Sequence, residues 1–441
     1  MQNLSRVLSL SVLFLGIVTA SVTSFAQDSL RTSTCNADVH NKLKPVVINH
    51  KWGFIDESGK EIVSPKYDYI SEFSEGLALI ELDHKYGYID ETGMEVVPPK
   101  YDQANSFSDG LAQVKLNNKS GCINASGQVV VPLKYDDVWV FSEGLAKVYK
   151  KGKYGFVNKC GKEIIPMIYD RAGNFSEGAA WFKTNGKYGF LDKSGNIIIP
   201  FKYDKAYSFS DGLAKVLLNR KWGHVDKTGN EIVPLKYYYV GEFSEGLAWI
   251  ESDNYRYGYV DKSGKEVVSP KYTKAYDFSE GLAKVELNNK NGFIDKSGNE
   301  VIPPKYDGAD NFHEGLAIVV SGGKWGFVDK SGKEVVALKY DEVRKYSDGV
   351  SLVKLNGKYG YIDKTGSEIV PPKYDKIDGF SEGLARVVSN GKDGFVDRSG
   401  KEVIPAVFDF AHSFEDGKAL VILNKEHFYI DKNGNRLPDG D

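Results

Sequence analysis

The chain has 441 residues, of which 57 are Lys or Arg and 60 are Asp or Glu, so its formal net charge at pH 7 is -3. This balance excludes a strongly basic nucleic-acid-binding protein and favours no other polyanionic partner. Hydrophobic residues make up 41% and aromatic residues 13% of the sequence, which is enough for a large folded core.

The first 26 residues differ in composition from everything that follows them. One positive side chain, Arg6, precedes an apolar run from Val7 to Ala20, and small residues lead up to Ala26. This pattern predicts a secretory signal peptide, residues 1–26, cleaved after Ala26. The alternative is a membrane anchor, but the run is shorter than the roughly 20 residues that a spanning helix needs. We therefore expect a secreted or periplasmic protein with no membrane span.

A repeat fills the rest of the chain. The glycine of Lys51-Trp52-Gly53 recurs at a spacing of 34 residues, with one step of 35, at Gly87, Gly121, Gly155, Gly189, Gly223, Gly258, Gly292, Gly326, Gly360 and Gly394. A twelfth, degenerate copy has Phe428 in the position of that glycine. Self-similarity at this period is typical of repeat architectures. The repeat domain covers 45–441 and leaves 27–44 as an N-terminal linker.

The residue types of the repeat predict β-structure. Each copy carries three glycines and usually a proline, which cost a helix about 1 and 3 kcal/mol, and this excludes the helical repeats of the same period. Two short strands flank Asn356-Gly357, a dipeptide typical of type I′ hairpins. Asp363 and Gly366 predict a second turn, in which the carboxylate accepts from the backbone. A third strand begins at Glu368 and is predicted to stop at Pro371-Pro372, because proline cannot donate to a ladder.

Each unit is therefore predicted to be a three-stranded antiparallel meander followed by a connector. Apolar residues three apart in the connector, at Tyr374, Ile377 and Phe380, favour a turn or a short helical twist. The chain as a whole is predicted to be an all-β tandem array of twelve meanders of about 34 residues. We expect an open or superhelical stack, with propeller-like closed rings as the alternative. Gly246, in the turn after the connector, is expected to need a positive φ.

The repeated motif resembles a known family. Lys51-Trp52-Gly53-Phe54-Ile55-Asp56, Lys221-Trp222-Gly223 and Lys324-Trp325-Gly326-Phe327-Val328-Asp329 are similar to the WG (KWG) repeats found widely in bacterial proteins. The resemblance implies a β-rich interaction module without an assigned reaction. The first aromatic position of the motif is lost in three copies, where we expect looser packing: Ser120, Asn291 and Asp393.

Catalytic and metal-binding motifs give little support for an enzyme. The seven histidines fall in different positions of the repeat, and no HExxH, GxSxG or Walker motif is present. Asp56, Ser58 and Glu61 suggest a calcium loop, but an EF-hand needs a 12-residue ligand set and an Asx-turn already explains the aspartate. A paired-carboxylate glycosidase is the enzymatic alternative. We predict no reaction, no metal and no cofactor.

Disulfides are not expected to stabilise the fold. The chain has three cysteines, Cys35, Cys122 and Cys160, an odd number that cannot form a complete disulfide framework. A bridge between Cys122 and Cys160 would join different positions of neighbouring repeats, which the strict geometry of a disulfide disfavours. Stability should come from packing between repeats.

One connector position departs from the repeated pattern. It lies four residues after the tyrosine of the Lys-Tyr-Asp motif, and from Trp139 onward it alternates between large and small residues: Trp139, Gly173, Tyr207, Gly241, Tyr276, Asp310, Arg344, Asp378 and His412. The symmetric unit is then a pair of repeats. Such a pair arises from duplication of two repeats, or from three-stranded meanders that reverse the chain direction at each repeat.

Function is predicted from these variable positions, because connectors carry function in repeat proteins and large aromatic residues or arginines dominate binding energy. We expect a binding row formed by Trp139, Tyr207, Tyr276, Arg344 and His412. Two strand residues, Trp181 and Trp249, line a second strip or fill a gap between repeats. The leading interpretation is a secreted, non-enzymatic repeat scaffold for a protein partner. The alternative is a carbohydrate-binding or cell-envelope-binding protein, in which the rings stack on sugars.

Overall fold

The computed structural model describes residues 43–438. The predicted signal peptide, 1–26, lies outside the described residues, as does all of the predicted linker except its last two residues. Within the described range the regular structure consists of strands, and no helix there could cross a membrane. The chain divides between Lys66 and Tyr67 into two compact units.

The strands form twelve antiparallel sheets in tandem, which we number in chain order. Sheet 1 contains β1 (Lys44–Ile48), β2 (Lys51–Ile55) and β3 (Glu61–Tyr67). Sheet 2 contains β4 (Tyr69–Ser74), β5 (Leu77–Leu82), β6 (Lys85–Asp90) and β7 (Glu95–Tyr101). Sheet 3 contains β8 (Gln103–Ala104), β9 (Leu111–Leu116), β10 (Lys119–Asn124) and β11 (Val129–Tyr135). Sheet 4 contains β12 (Asp137–Ser142), β13 (Leu145–Lys150), β14 (Lys153–Asn158) and β15 (Glu163–Tyr169).

The next four sheets repeat the arrangement. Sheet 5 contains β16 (Arg171–Ala172), β17 (Ala179–Thr184), β18 (Lys187–Asp192) and β19 (Ile197–Tyr203). Sheet 6 contains β20 (Lys205–Ala206), β21 (Leu213–Leu218), β22 (Lys221–Asp226) and β23 (Glu231–Tyr237). Sheet 7 contains β24 (Tyr239–Val240), β25 (Leu247–Glu251), β26 (Tyr257–Asp261) and β27 (Glu266–Tyr272). Sheet 8 contains β28 (Lys274–Ser279), β29 (Leu282–Leu287), β30 (Lys290–Asp295) and β31 (Glu300–Tyr306).

The last four sheets complete the array. Sheet 9 contains β32 (Gly308–Ala309), β33 (Leu316–Ser321), β34 (Lys324–Asp329) and β35 (Glu334–Tyr340). Sheet 10 contains β36 (Glu342–Val343), β37 (Val350–Leu355), β38 (Lys358–Asp363) and β39 (Glu368–Tyr374). Sheet 11 contains β40 (Lys376–Ile377), β41 (Leu384–Ser389), β42 (Lys392–Asp397) and β43 (Glu402–Phe408). Sheet 12 contains β44 (Phe410–Ala411), β45 (Lys418–Leu423) and β46 (Glu426–Asp431).

The all-β tandem architecture is confirmed, and the connector adds a short strand that the sequence did not predict. In sheet 11, Lys376 and Ile377 pair with Val388 and Val387. The start of the connector is therefore not the turn or helical twist that its spacing favoured. Because four antiparallel strands restore the chain direction, consecutive repeats are equivalent. The reversal of direction that would have made a pair of repeats the symmetric unit does not occur.

The third strand continues through its prolines. β39 runs to Tyr374, four residues beyond Val370. On the neighbouring strand, the partners of Val370 and Tyr374 are Tyr361 and Tyr359, which are only two residues apart. The extra residues form a bulge, and residues in a bulge do not contribute to the ladder. Because of the bulge, Pro371-Pro372 does not end the strand. The prediction that the strand stops there is wrong.

The glycine of the repeated motif makes room for this bulge. A Cβ atom on Gly360 would lie 2.3 Å from the carbonyl oxygen of Val370 and 2.7 Å from the nitrogen of Pro372. Both neighbours are backbone atoms, so a side chain at this position would displace the strand itself. The equivalent distance to the third-strand carbonyl oxygen is 2.2 to 2.7 Å in all eleven copies that carry this glycine.

The predicted turns are present. Asn356 and Gly357 have φ values of 52° and 80°, as a type I′ hairpin requires. The Asp363 carboxylate accepts the backbone N–H of Thr365 at 2.8 Å, which is an Asx-turn. Gly246 has a φ of 91°, and no atom lies within 4 Å of a Cβ atom placed on it. Gly246 is therefore needed for its backbone conformation and not for space.

The hydrophobic core lies between consecutive sheets. Phe190 of sheet 5 packs against Phe209, which precedes β21 of sheet 6, with ring centroids 4.9 Å apart. The same cluster contains Tyr203 from sheet 5 together with Val216 and Val225 from sheet 6. No sheet between the ends can bury its apolar residues alone, which is the expected behaviour of a repeat protein.

Polar side chains also join consecutive repeats. The Asp204 carboxylate accepts from the Lys187 ammonium at 2.5 Å and from the backbone N–H of Asn219 at 2.8 Å. The hydrogen bond from Lys187 holds the pKa of Asp204 below its usual value. In the turn after the connector, the Ser176 hydroxyl donates to the carbonyl oxygen of Phe209 at 2.8 Å.

The copies that lack the first aromatic residue keep a buried side chain in its position. Asn291 is buried, and its amide donates to the carbonyl oxygen of Asp307 at 3.2 Å. Asp393 is also buried, and it accepts from Arg386 at 2.9 Å. Ser120 is 2% exposed and lines a cleft of about 220 Å³. Polar partners replace the ring at Asn291 and Asp393, and the looser packing expected for these copies stays a prediction.

The two cysteines in the described range are free thiols. Cys122 is buried and Cys160 is exposed, so no disulfide joins them. Burial raises the pKa of the Cys122 thiol to about 12. Cys35 lies outside the described residues.

The glycine and bulge contact makes a testable prediction. Gly360→Ala should lower the free energy of unfolding by ~1 to 3 kcal/mol, because the new Cβ atom overlaps backbone atoms of β39. Urea unfolding followed by circular dichroism would measure the loss. The matched control is Gly379→Ala, where no atom lies within 4 Å of the added Cβ atom. Equal stability of the two variants would contradict the proposed role of the glycine.

Candidate binding site

The variable connector position lies beside a strand residue of its own sheet, eight positions later in the sequence. The backbone N–H of Tyr207 donates to the carbonyl oxygen of Lys215 at 3.0 Å. The same bond joins Gly173 to Trp181 at 2.8 Å. We call these two residues a connector pair, and we call the series of connector pairs along the chain the connector row. The pairs run from Ser71/Leu79 through Asn105/Gln113, Trp139/Lys147, Gly173/Trp181, Tyr207/Lys215, Gly241/Trp249, Tyr276/Lys284, Asp310/Ile318, Arg344/Leu352 and Asp378/Arg386 to His412/Leu420.

In alternate repeats a pair consists of an aromatic residue and a lysine. The Lys147 ammonium lies 4.9 Å from the ring centroid of Trp139, and the Lys284 ammonium lies 3.9 Å from that of Tyr276. Lys215 lies 4.8 Å from the ring centroid of Tyr207. An ammonium at these distances from a ring face forms a cation–π contact. Each of these three aromatic residues therefore contacts the ammonium group of its own partner.

In the intervening repeats of this part of the chain, the pair is a glycine and a tryptophan. A Cβ atom on Gly173 would lie 2.4 Å from Nε1 of Trp181, and one on Gly241 would lie 2.5 Å from Nε1 of Trp249. The indole ring thus occupies the space of the missing side chain. The two members of each of these pairs share one volume, which explains the glycine at the connector position. Trp181 and Trp249 therefore belong to the connector row and do not form a second strip.

Arg344 and His412 extend the row toward the C-terminal end of the chain. The Arg344 side chain is 67% exposed, and its Nε lies 3.7 Å from the Glu342 carboxylate. The His412 ring lies 5.0 Å from that of Phe410. All seven residues predicted for the binding site thus occupy connector pairs. Whether they bind a partner remains a prediction.

Sequence reasoning did not identify Lys215, which is the most enclosed charge in the row. Its side chain is 5% exposed, and its ammonium lies 5.8 Å from the ring centroid of Trp222 and 5.1 Å from that of Tyr239. It also forms an ion pair with Glu242. Burial opposes the charge, but the bond to Glu242 raises the pKa of Lys215 above its usual value. The only sequence signal was its spacing of eight residues from Tyr207.

A second residue that sequence reasoning missed is His224, which stands where other copies have Phe or Tyr. It is 2% exposed, and neither ring nitrogen has a hydrogen-bond partner. Its ring lies 5.1 Å from that of Phe243. Burial lowers the pKa of His224 to about 4. The histidine is therefore neutral near pH 7, and both of its ring nitrogens are buried without a hydrogen bond.

Four clefts contain members of the connector row. The largest, of about 420 Å³, includes Arg344. One of about 310 Å³ lies beside Trp249 and Tyr276. Two others, of about 290 and 220 Å³, include His412 and Asn105. The row is therefore concave at several repeats, with a different set of side chains at each. Within residues 43–438, no three His, Cys, Asp or Glu side chains converge as metal ligands.

These features define an all-β tandem repeat protein whose sheets share their cores and present a variable connector row. The chain belongs to the WG containing repeat family. The family model matches eleven consecutive segments: 52–86, 86–119, 121–154, 154–188, 188–222, 222–255, 257–290, 292–325, 325–359, 359–392 and 394–426. The expected resemblance is thus confirmed, and the degenerate twelfth copy corresponds to sheet 12.

Comparisons with other proteins add little. No curated protein sequence matches the chain. Among solved structures, the computationally designed Ika8 protein is 12% identical, with 66% of this chain and 94% of that chain covered and a TM-score of 0.25. The extracellular domain of a one-component system from B. thetaiotaomicron is 9% identical, with 91% and 76% covered and a TM-score of 0.21. Scores this low support no conclusion about function.

The shared volume of a connector pair can be tested by exchanging pairs. Gly173→Tyr alone should be strongly destabilising, because the new side chain overlaps Trp181, and Trp181→Lys alone should leave a void. The double variant recreates the Tyr207/Lys215 pair and should recover much of the loss. We expect a coupling free energy of about 1 to 3 kcal/mol in a double-mutant cycle. Additive effects would show that the two positions do not share one volume.

The buried histidine predicts a pH dependence of stability. His224→Phe should raise the free energy of unfolding by ~1 to 3 kcal/mol at pH 7, because it removes two unsatisfied polar atoms. The folded-state pKa of His224 lies below its ordinary value of 6.5, so the unfolded chain binds the proton more tightly. The wild-type protein should therefore lose stability relative to the variant as the pH falls from about 6.5 to about 4, by on the order of 3 kcal/mol. Urea unfolding of both proteins at pH 7, 5.5 and 4.5 measures the difference, and a constant difference would contradict the assignment.

Proposed function

We propose that this chain is a secreted, non-enzymatic repeat scaffold that binds a protein partner through its connector row. The observation that carries the proposal is that four clefts contain residues of the connector row, whose members differ in size and charge from repeat to repeat. Some exposed side chains outside the row instead join the repeats to each other. At the turn after the connector, for example, Glu177 accepts the backbone N–H of Gly212 and pairs with Lys227 at 3.2 Å.

The composition of the row favours a protein over a sugar. Tryptophan, tyrosine and arginine are the residues that contribute most to protein–protein binding energy. Sugar recognition by stacking needs an accessible ring face, and lysine ammonium groups lie over the rings of Trp139, Tyr207 and Tyr276. A surface of rings and cations in close contact suits a partner with acidic and apolar residues. Export to the periplasm or the medium is supported by the sequence of residues 1–26.

The experiment compares matched variants. The row variant carries Trp139→Ala, Tyr207→Ala and Tyr276→Ala, and the control variant carries Val140→Ala, Ile168→Ala and Ile197→Ala. The control residues are 72%, 57% and 58% exposed and lie outside the row. Proteins captured from the cell envelope fraction by the wild type would be identified, purified and titrated by calorimetry. We expect the row variant to bind at least ~10-fold more weakly, with the control unchanged.

Thermal melting of the single variants separates binding from folding. If each single row substitution lowers the melting temperature strongly, these residues belong to the core and the proposed site fails. A glycan array supplies the second comparison. Binding to a glycan that is lost in the row variant, with no protein partner, would support the carbohydrate alternative. Detection of the mature protein beginning at Gln27 outside the cytoplasm would test export.

A further inference from the structure

The cleft of about 420 Å³ that includes Arg344 lies between sheets 10 and 11 and has an apolar floor. Val350, Leu352 and Tyr361 contribute to the floor from sheet 10, and Ile377 and Phe380 contribute from sheet 11. Tyr361 and Ile377 are buried, so the cleft reaches into the core between the two sheets. The rings of Tyr361 and Phe380 lie 5.2 Å apart. The floor is therefore a contiguous apolar surface open to solvent on one side.

The cleft is open because its connector pair does not fill it. Leu352 stands where other pairs place the indole of Trp181 or Trp249 or the chain of a lysine. Its partner, Arg344, is two-thirds exposed and is directed toward Glu342. On the facing connector, Gly379 has no atom within 4 Å of the position of a Cβ atom. Space that side chains occupy in earlier repeats is thus left to solvent.

Charged side chains line the rim of the cleft. Three cations, Arg344, Lys345 and Arg398, line it together with two carboxylates, Asp348 and Asp378. The carboxylate of Asp378 accepts from Nε of Arg386, a residue outside the cleft, at 2.7 Å.

Arg398 reaches the cleft from a position that holds lysine in sheets 4 to 10. Its guanidinium lies 4.9 Å from the ring centroid of Phe380. It forms an ion pair with the Asp348 carboxylate at 3.7 Å, in the position of the Lys227 and Glu177 pair, but this distance is longer than a hydrogen bond. Of its contacts with Asp348, only that with the backbone carbonyl oxygen, at 3.3 Å, is a hydrogen bond. Its remaining donors are available to a planar anion, which arginine binds in a bidentate manner.

We infer that this cleft binds a carboxylate attached to an apolar group, as found at the C-terminal residue of a protein chain. The apolar group occupies the floor, and the carboxylate lies at the rim formed by Arg344 and Arg398. The inference rests on the proposed function and deepens it, because it names the part of the partner that enters the connector row.

The test uses small probes that need no partner protein. N-acetyl-L-phenylalanine carries a carboxylate beside an apolar ring, and its amide has the same shape without the charge. Binding to the full chain is followed by ligand-observed NMR and calorimetry. We expect the wild type to bind the acid ~10-fold or more tightly than the amide, because a charge-assisted bond is lost with the amide. Equal binding of the two probes would overturn the role of the rim cations.

Variants locate the site. Arg344→Gly with Leu352→Trp installs the glycine and tryptophan pair of sheets 5 and 7, which fills the cleft. Asp310→Gly with Ile318→Trp makes the same exchange in sheet 9 and serves as the control. Probe binding should be lost in the first double variant and kept in the second, and retention in both would overturn the assignment. If the filled variant does not fold, Arg344→Gln with Arg398→Gln should abolish the preference for the acid, and a retained preference would overturn the proposal.

The source of the carboxylate is tested with longer probes. A hexapeptide ending in phenylalanine should bind at least ~10-fold more tightly than N-acetyl-L-phenylalanine, because its preceding residues contact the rest of the row. Equal affinity would instead identify a free carboxylic acid as the ligand, and the assignment of the ligand as the terminus of a protein chain would be wrong. If the wild-type protein captures its partner through Trp139, Tyr207 and Tyr276 but binds no probe, the cleft assignment alone is refuted. Probe binding without any partner would refute the proposed function alone.

Discussion

A backbone bulge packed against a glycine is the contact that eleven of the twelve repeats share. The third strand has two more residues than its neighbour between paired positions, and the extra backbone fills the volume that a side chain on the glycine would occupy. The bulge carries the prolines and still returns the tyrosine of the Lys-Tyr-Asp motif to the ladder, where it is buried. In sheet 10 this tyrosine is Tyr374, opposite Tyr359. A strand that is bent in this way delivers the chain to the next sheet.

The bent strand also places a carboxylate between repeats. Asp204 follows such a strand and joins the hairpin of sheet 5 to that of sheet 6 through Lys187 and Asn219. The bond is replaced where the sequence changes. Between sheets 6 and 7 the aspartate becomes Tyr238, and Lys221 instead pairs with Asp253 of the following hairpin. The longer hairpin of sheet 7 therefore supplies the carboxylate that the connector lacks, and the array continues without interruption.

Much of the fold could be predicted from the sequence because the turns are determined locally. Asn356-Gly357 and the Asx-turn at Asp363 each follow from the residues of the turn itself. The fourth strand was missed because it consists of only two residues, such as Lys376 and Ile377, and depends on pairing with a strand that follows later. The continuation through Pro371-Pro372 was missed because a bulge is a property of two strands and not of one.

Only part of the candidate site could be predicted, because the site also depends on pairing between strands. The large connector residues stand out in the sequence, but their partners eight residues later become visible only when a short strand brings the two positions together. Lys215 looks like an ordinary surface lysine in the sequence and proves to be enclosed by three rings. His224 gave no signal, because a single histidine in a repeated aromatic position has no motif of its own.

The connector pair has a consequence for how such a surface can diversify. Because both members of a pair lie within one sheet and share one volume, a repeat can exchange its pair as a unit while the bulge, the turns and the shared cores stay unchanged. Each repeat of the connector row can then carry a different connector pair, such as tyrosine with lysine, glycine with tryptophan, or arginine with leucine. The surface of the row can therefore change one pair at a time, and the effect of each change on stability is confined to a single repeat and its two neighbours.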